Sequence, residues 1–199
     1  MLDIFYRGGP IMWPLLLTSI ISLSVIIERI VFVISNKLKR KQQNSATIIE
    51  LAKEKAYPEI LSRYSSSEDY IVKVLLAGIK NPDSFKLPMQ QAANKVLSKF
   101  NRGVSLLDTA ITLAPLLGLL GTVVGMINAF HFIGGSELGA PSAITGGIAE
   151  ALIATAFGLG IAIFNLIPFN FLNSYIEIVR EELEESASQL ELVLNTNSK

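Results

Sequence analysis

Residues 146–160 read GGIAEALIATAFGLG. Apart from Glu150, the stretch holds Gly, Ala, Ile, Leu, Thr and Phe, which suits a helix in lipid. A carboxylate does not suit lipid. The run continues on both sides, from about residue 143 to about residue 167. A bilayer core about 30 Å thick needs about 20 residues of helix, so this segment is long enough to span one. Two others qualify, residues 11–34 and residues 106–133.

Composition points the same way. The chain of 199 residues is 50% hydrophobic and 17% charged, against roughly 25% charged in ordinary soluble domains. The fold class is an all-α membrane protein with three transmembrane helices and long helical extensions outside the bilayer. Lys plus Arg and Asp plus Glu number 17 each, so net charge singles out no nucleic acid or acidic partner. With no Cys, disulfides, thiolate catalysis and Cys-based metal sites are excluded. A single His, His131, leaves almost no material for an all-protein zinc site. No glycine-rich loop follows a strand and no nucleophile–base constellation is present, so neither a nucleotide site nor an enzyme is expected.

The N-terminus does not read as a secretory signal. Asp3 and Arg7 cancel, and the apolar run after them is too long and ends without a small-x-small cleavage site. It is expected to remain as the first membrane helix, with Pro10 at its first turn and Trp13 and Tyr6 in an aromatic belt. Glu28 and Arg29 interrupt that helix near its far end and are expected to snorkel to the interface.

The organisation read from the pattern is residues 1–34 as N-terminal segment and first span, 35–105 as a helical loop, 106–172 as the second and third spans, and 173–199 as a C-terminal helix. Within the loop, ATIIELAKEKA, YIVKVLLAGIK and MQQAANKVLSKFNRGVSLLD read as amphipathic helices, broken by Asn81-Pro82-Asp83 and by a flexible turn in SRYSSSEDY. Of the 17 basic residues, 13 lie in residues 35–105, and GGSELGAPSA between the second and third spans has none. Basic residues favour the cytoplasmic side. The large loop and the C-terminus are therefore expected in the cytoplasm, and the N-terminus and short loop outside. Pro168 predicts a kink. Beyond it, Ile176, Val179, Leu183, Ala187, Leu190 and Leu194 form a stripe for burial against the loop helices or a neighbouring subunit. The final NTNSK is expected to fray.

The second and third spans are not uniform lipid anchors. Gly118, Gly121, Thr122 and Gly125 share one side of the second, and Gly147, Ala151, Ala154, Gly158 and Ala162 one side of the third. Small residues at that spacing let helices approach closely. Glu150 lies roughly 10 Å below the outer surface at about 1.5 Å per residue. A charge at membrane depth costs about 2.5–3.5 kcal/mol on insertion scales, and no Lys or Arg occurs between Arg102 and Arg180. Two arrangements relieve the cost: a neutral, protonated carboxyl, or one facing a cavity or another chain. Either suits proton handling. The plainer role is a protonated acid acting as helix glue. Thr122 and Thr155 either bond to carbonyls of their own helices or line a polar path beside Glu150. Asn128, Asn165 and Asn170 are candidates for bonds between helices.

APLLGLLGTVVGMINAF (residues 114–130) with GGIAEALIATAFGLGIAI (residues 146–163) resembles the MotA/TolQ/ExbB proton channel family, and FYRGGPIMWPLLLTSIISLSVIIERI (residues 5–30) is most similar to its ExbB branch. The resemblance covers all three spans, the large loop and the tail. It implies a ring-forming homo-oligomer, a pentamer in that branch, in the bacterial inner membrane. The ring surrounds an ExbD-like or TolR-like single-span partner that carries an intramembrane Asp. Protons are the coupling ion, no other cofactor is implied, and a TonB-like transducer passes the energy to outer-membrane transport. By matching motif positions, Glu150 corresponds to the family's third-span Glu, and Thr122 and Thr155 to its lumen-facing threonines. A TolQ-like role in outer-membrane integrity and a gliding or motility motor are the alternatives within the family. A passive membrane scaffold is the alternative outside it. The chain departs from the family at Phe164, where a proline is frequent, and in PFNFLN, which lacks a frequent basic residue.

Overall fold

The computed structural model describes residues 2–82, 84–133 and 141–197. Most of the expected loop between the second and third spans, and the final two residues, lie outside them. The elements are α1 (Leu2–Arg7), α2 (Met12–Lys39), α3 (Gln42–Lys53), α4 (Tyr57–Tyr64), α5 (Tyr70–Ile79), α6 (Lys86–Asn101), α7 (Val104–Ile133) and α8 (Pro141–Asn197). No strand occurs among the described residues. Among the described residues three stretches, within α2, in a run that includes α7, and within α8, are long and apolar enough to cross a membrane. The chain is an all-α membrane protein.

The contacts divide it into two compact units, Met1–Glu28 with Gly103–Phe171 and Arg29–Arg102 with Leu172–Lys199. In the first unit the core is small. Met12, Leu15 and Ala114 are buried, with Phe5, Ile11, Leu117, Ile153 and Ile161 packed around them. Large side chains such as Leu17, Leu116, Leu152, Ile163 and Phe164 are exposed. An apolar surface of that extent calls for lipid or another helix. Asn165 is 1% exposed. Its Nδ2 donates to the Ile161 carbonyl of its own helix at 2.7 Å, and its Oδ1 has no partner among the described residues. Asn128 and Asn170 are exposed, and among the described residues of this unit none of the three asparagines bonds between helices. Proline is tolerated in membrane helices because neighbouring groups take up the freed backbone. α8 stays helical through Pro168.

The second unit is organised around α5. Its sequence reads as amphipathic, yet eight of its ten residues are buried, from Tyr70 to Ile79, so that apolar neighbours cover it on nearly every side. The stripe on α8 is buried at Leu172, Ile176, Val179, Leu183, Leu190 and Leu194, each worth about 1.5–3 kcal/mol when fully removed from water. The end of α8 is anchored rather than frayed. Asn197 donates from Nδ2 to the Ala52 carbonyl at 2.8 Å, and Lys55 Nζ donates to the Asn197 carbonyl at 3.1 Å. The pattern expected as one helix over residues 89–108 is two, α6 and α7, because Gly103 takes φ +80 between them. α4 was not read from the sequence; only its last three residues, 62–64, fall in the stretch assigned to a turn.

Arg29 does not snorkel. It is 2% exposed, donates from Nη1 to the Lys99 carbonyl at 2.9 Å, and lies 4.7 Å over the Phe32 ring. Phe32, Phe100 and Tyr70 follow in edge-to-face pairs with centroids 5.1 and 5.5 Å apart. Each such pair is worth about 0.5–1.5 kcal/mol beyond its area. Asp69, 2% exposed, caps α5 by accepting from the Ile71 N–H at 2.9 Å. Its other oxygen accepts from the Lys41 N–H at 2.9 Å and from Arg40 Nη1 at 3.2 Å. Burial works against the Arg40 charge, but Asp69 and then Glu182 outweigh it and hold the guanidinium above its usual range. Tyr70 donates its hydroxyl to Glu182 at 2.7 Å. Burial, then that carboxylate, pushes the phenol well above its usual range.

Two outcomes follow from this network. Asp69→Ala strips the α5 cap and leaves a part-buried Arg40 with a weaker partner, so it should cost about 3–5 kcal/mol and lower the thermal midpoint of the detergent-solubilised protein by several degrees. Asp69→Asn, which keeps an acceptor for the cap, should cost less. Because the Tyr70 phenol titrates higher folded than unfolded, its contribution is complete below the ordinary tyrosine value of 10.0 and declines as pH rises above it. Tyr70→Phe should flatten the alkaline limb of the stability profile measured by the same melt.

Candidate intramembrane carboxylate site

The site rests on the approach of α7 to α8. A Cβ added to Gly158 would stand 2.5 Å from the Ala114 carbonyl oxygen, and one on Gly118 would stand 3.0 Å from Thr155 Cα. One on Gly121 would meet Ala154 Cβ at 2.5 Å, and one on Gly125 the Gly147 carbonyl oxygen at 3.0 Å. The contacts pair positions that rise along one helix with positions that fall along the other, so the helices run antiparallel. Ala151 and Ala154 are buried in the same seam. Gly118, Gly121, Gly125, Gly147, Ala151, Ala154 and Gly158 all lie in it.

The threonines use their protons differently. Thr155 donates to the Gly118 carbonyl on α7 at 2.9 Å, a bond between helices. Thr122 donates to the Leu119 carbonyl of its own helix at 2.6 Å. Both are half-buried.

Glu150 is half-buried on α8. Among the described residues no hydrogen bond or ion pair reaches its carboxyl. The carboxyl instead lies against the backbone of Gly9, where a Cβ would fall on Glu150 Oε1 and within 2.7 Å of its carboxyl carbon. Gly9 takes φ +73, a conformation that costs a residue with a side chain about 1–3 kcal/mol. The sequence showed neither this contact nor α1. Only the glycine pair before Pro10 hinted at a special turn. The structure therefore joins Glu150 to the N-terminal segment, joins Thr155 to Gly118, and leaves Thr122 bonded within α7.

The fold and site define a class: helical membrane proteins with a glycine-packed helix pair that carries an acid with no ion pair among the described residues. Residues 64–185 match the MotA/TolQ/ExbB proton channel family. The biopolymer transport protein ExbB-like 1 of Synechocystis is 38% identical over 97% of this chain and 78% of its own length. The biopolymer transport protein ExbB of Neisseria gonorrhoeae is 34% identical over 54% of this chain and 49% of its own. The Tol-Pal system protein TolQ of Haemophilus influenzae is 31% identical over 54% and 47%. The chain belongs to the MotA/TolQ/ExbB proton channel family, and within it is most like ExbB.

Gly158→Ala should separate the two helices, since the obstacle is backbone and cannot turn aside. A loss of about 1–3 kcal/mol is expected, read as a lower melting midpoint in detergent. Gly160→Ala, whose Cβ meets nothing within 4 Å, should leave the midpoint unchanged.

Proposed function

We propose that this chain is the ring subunit of an inner-membrane motor driven by the proton-motive force, energising TonB-dependent outer-membrane transport. The observation that carries this reading is Glu150, an acid without an ion pair among the described residues, on a close-packed helix pair in a member of a proton channel family. A membrane potential is worth about 2.3 kcal/mol per charge per 100 mV, and a group that binds and releases a proton can draw on it. Conversion to motion also needs a partner whose preferred position changes with protonation. An ExbD-like or TolR-like single-span protein with its own intramembrane Asp fills that role, inside a homopentameric ring that carries the exposed apolar surface towards lipid and neighbouring copies. Protons are the coupling ion. The N-terminus faces the periplasm, and the large loop and C-terminus face the cytoplasm. A TonB-like transducer takes the output. The identity to an ExbB-like relative over nearly the whole chain favours this over the TolQ-like role in envelope integrity.

Glu150→Gln keeps size and shape and removes titration. TonB-dependent siderophore uptake should fall to the level of a null strain while immunoblots and co-purification show normal assembly. Normal uptake, envelope integrity and motility with Gln at 150 would instead make Glu150 helix glue and the chain a scaffold.

A further inference from the structure

We propose that the Gly8-Gly9-Pro10 turn is a strap closing the Glu150 site from within the same chain, with Gly9 as the residue that positions the carboxyl. Four observations carry this. The Glu150 carboxyl lies against Gly9 where a Cβ would fall, so any side chain there must turn the carboxyl aside, and φ +73 at Gly9 independently disfavours one. The turn is closed by its own hydrogen bonds, Gly9 N–H to the Tyr6 carbonyl at 3.4 Å and Met12 N–H to the Gly9 carbonyl at 3.2 Å. The flanks are docked. Phe5 packs on the Met12, Leu15 and Ala114 core and stands edge-on to Trp13 at 5.4 Å, and Ile11 reaches the seam at Gly121. Finally, Gly8 sits over Ile153, one turn along α8 from Glu150.

The chemistry of the cover fits its place. A backbone Cα–H surface gives the carboxyl no hydrogen-bond donor and no charge, while it displaces water. The Gly9 backbone thereby occupies one approach to the Glu150 carboxyl. For the carboxyl to meet a group on another chain, the strap must shift or the side chain must swing away from Gly9. The inference rests on the proposed proton role only for its consequence. The cover itself is tested by chemistry that does not require transport.

The test is dicyclohexylcarbodiimide modification of Glu150 in membranes holding the full chain, quantified on the peptide containing residue 150, with Glu150→Gln as the blank. Gly9→Ala should raise the modification rate at Glu150 at least about fivefold. Phe5→Ala, which loosens the docked flank without touching the turn, should raise the rate as well. Gly146→Ala, on α8 with nothing within 4 Å of the added Cβ, should stay within twofold of the native chain. Native rates in both Gly9→Ala and Phe5→Ala, at normal protein level, overturn the strap, as does an equal rise in Gly146→Ala. If Glu150→Gln proves fully active while Gly9→Ala still exposes the carboxyl, the strap stands and the proton role falls.

Discussion

The structure depends on how near two backbones can come. At Gly158 and Gly118 the facing helix presents main-chain atoms, not side chains, so the gap has no flexible part that can yield. Hydrophobic burial cannot draw helices together in lipid, where tails are as apolar as leucine. Dispersion between close surfaces and bonds between helices must do it. The Thr155 bond to the Gly118 carbonyl is of this second kind, and it forms only because glycine opposite lets the hydroxyl reach a carbonyl already engaged in its own helix. Position along the seam then decides where Glu150 stands, and the N-terminal segment packs on the seam through Ile11 at Gly121.

The second unit solves a different problem. It has a full aliphatic core around α5 and a buried polar network at its edge. Asp69 is tied to two segments that share no local sequence, the junction before α3 and the first turn of α5. Arg40 connects Asp69 to Glu182 on α8. Such a network adds little net energy if every partner is present and costs much if one is removed. Its effect is to fix how the helices of this unit register against one another.

Much of this was legible. Twenty-residue apolar runs are read by length alone, and glycine at three- and four-residue spacing is read by period, so the three spans and the residues of the α7–α8 seam followed directly. Glu150 was conspicuous because its neighbours were apolar. What escaped has physical reasons. Arg29 looked like a snorkelling residue because a sequence does not show that Lys99 offers a carbonyl and Phe32 a ring face 70 and three residues away. α5 looked amphipathic because one lysine in an apolar decamer mimics a polar face. The break at Gly103 turns on a backbone angle that glycine permits but does not require. The Gly9 contact with Glu150 joins positions 141 residues apart, and no periodicity reports it.

Each threonine hydroxyl has one hydrogen and two lone pairs. In Thr155 and Thr122 that hydrogen is already committed to a main-chain oxygen. What remains outward is lone pairs alone. As they stand, these two hydroxyls can only accept: a group that brings its own hydrogen can bond to them directly, whereas a bare anion must first turn a hydroxyl away from its carbonyl. The polarity of the seam is of one sense, and it is set by the carbonyls behind it.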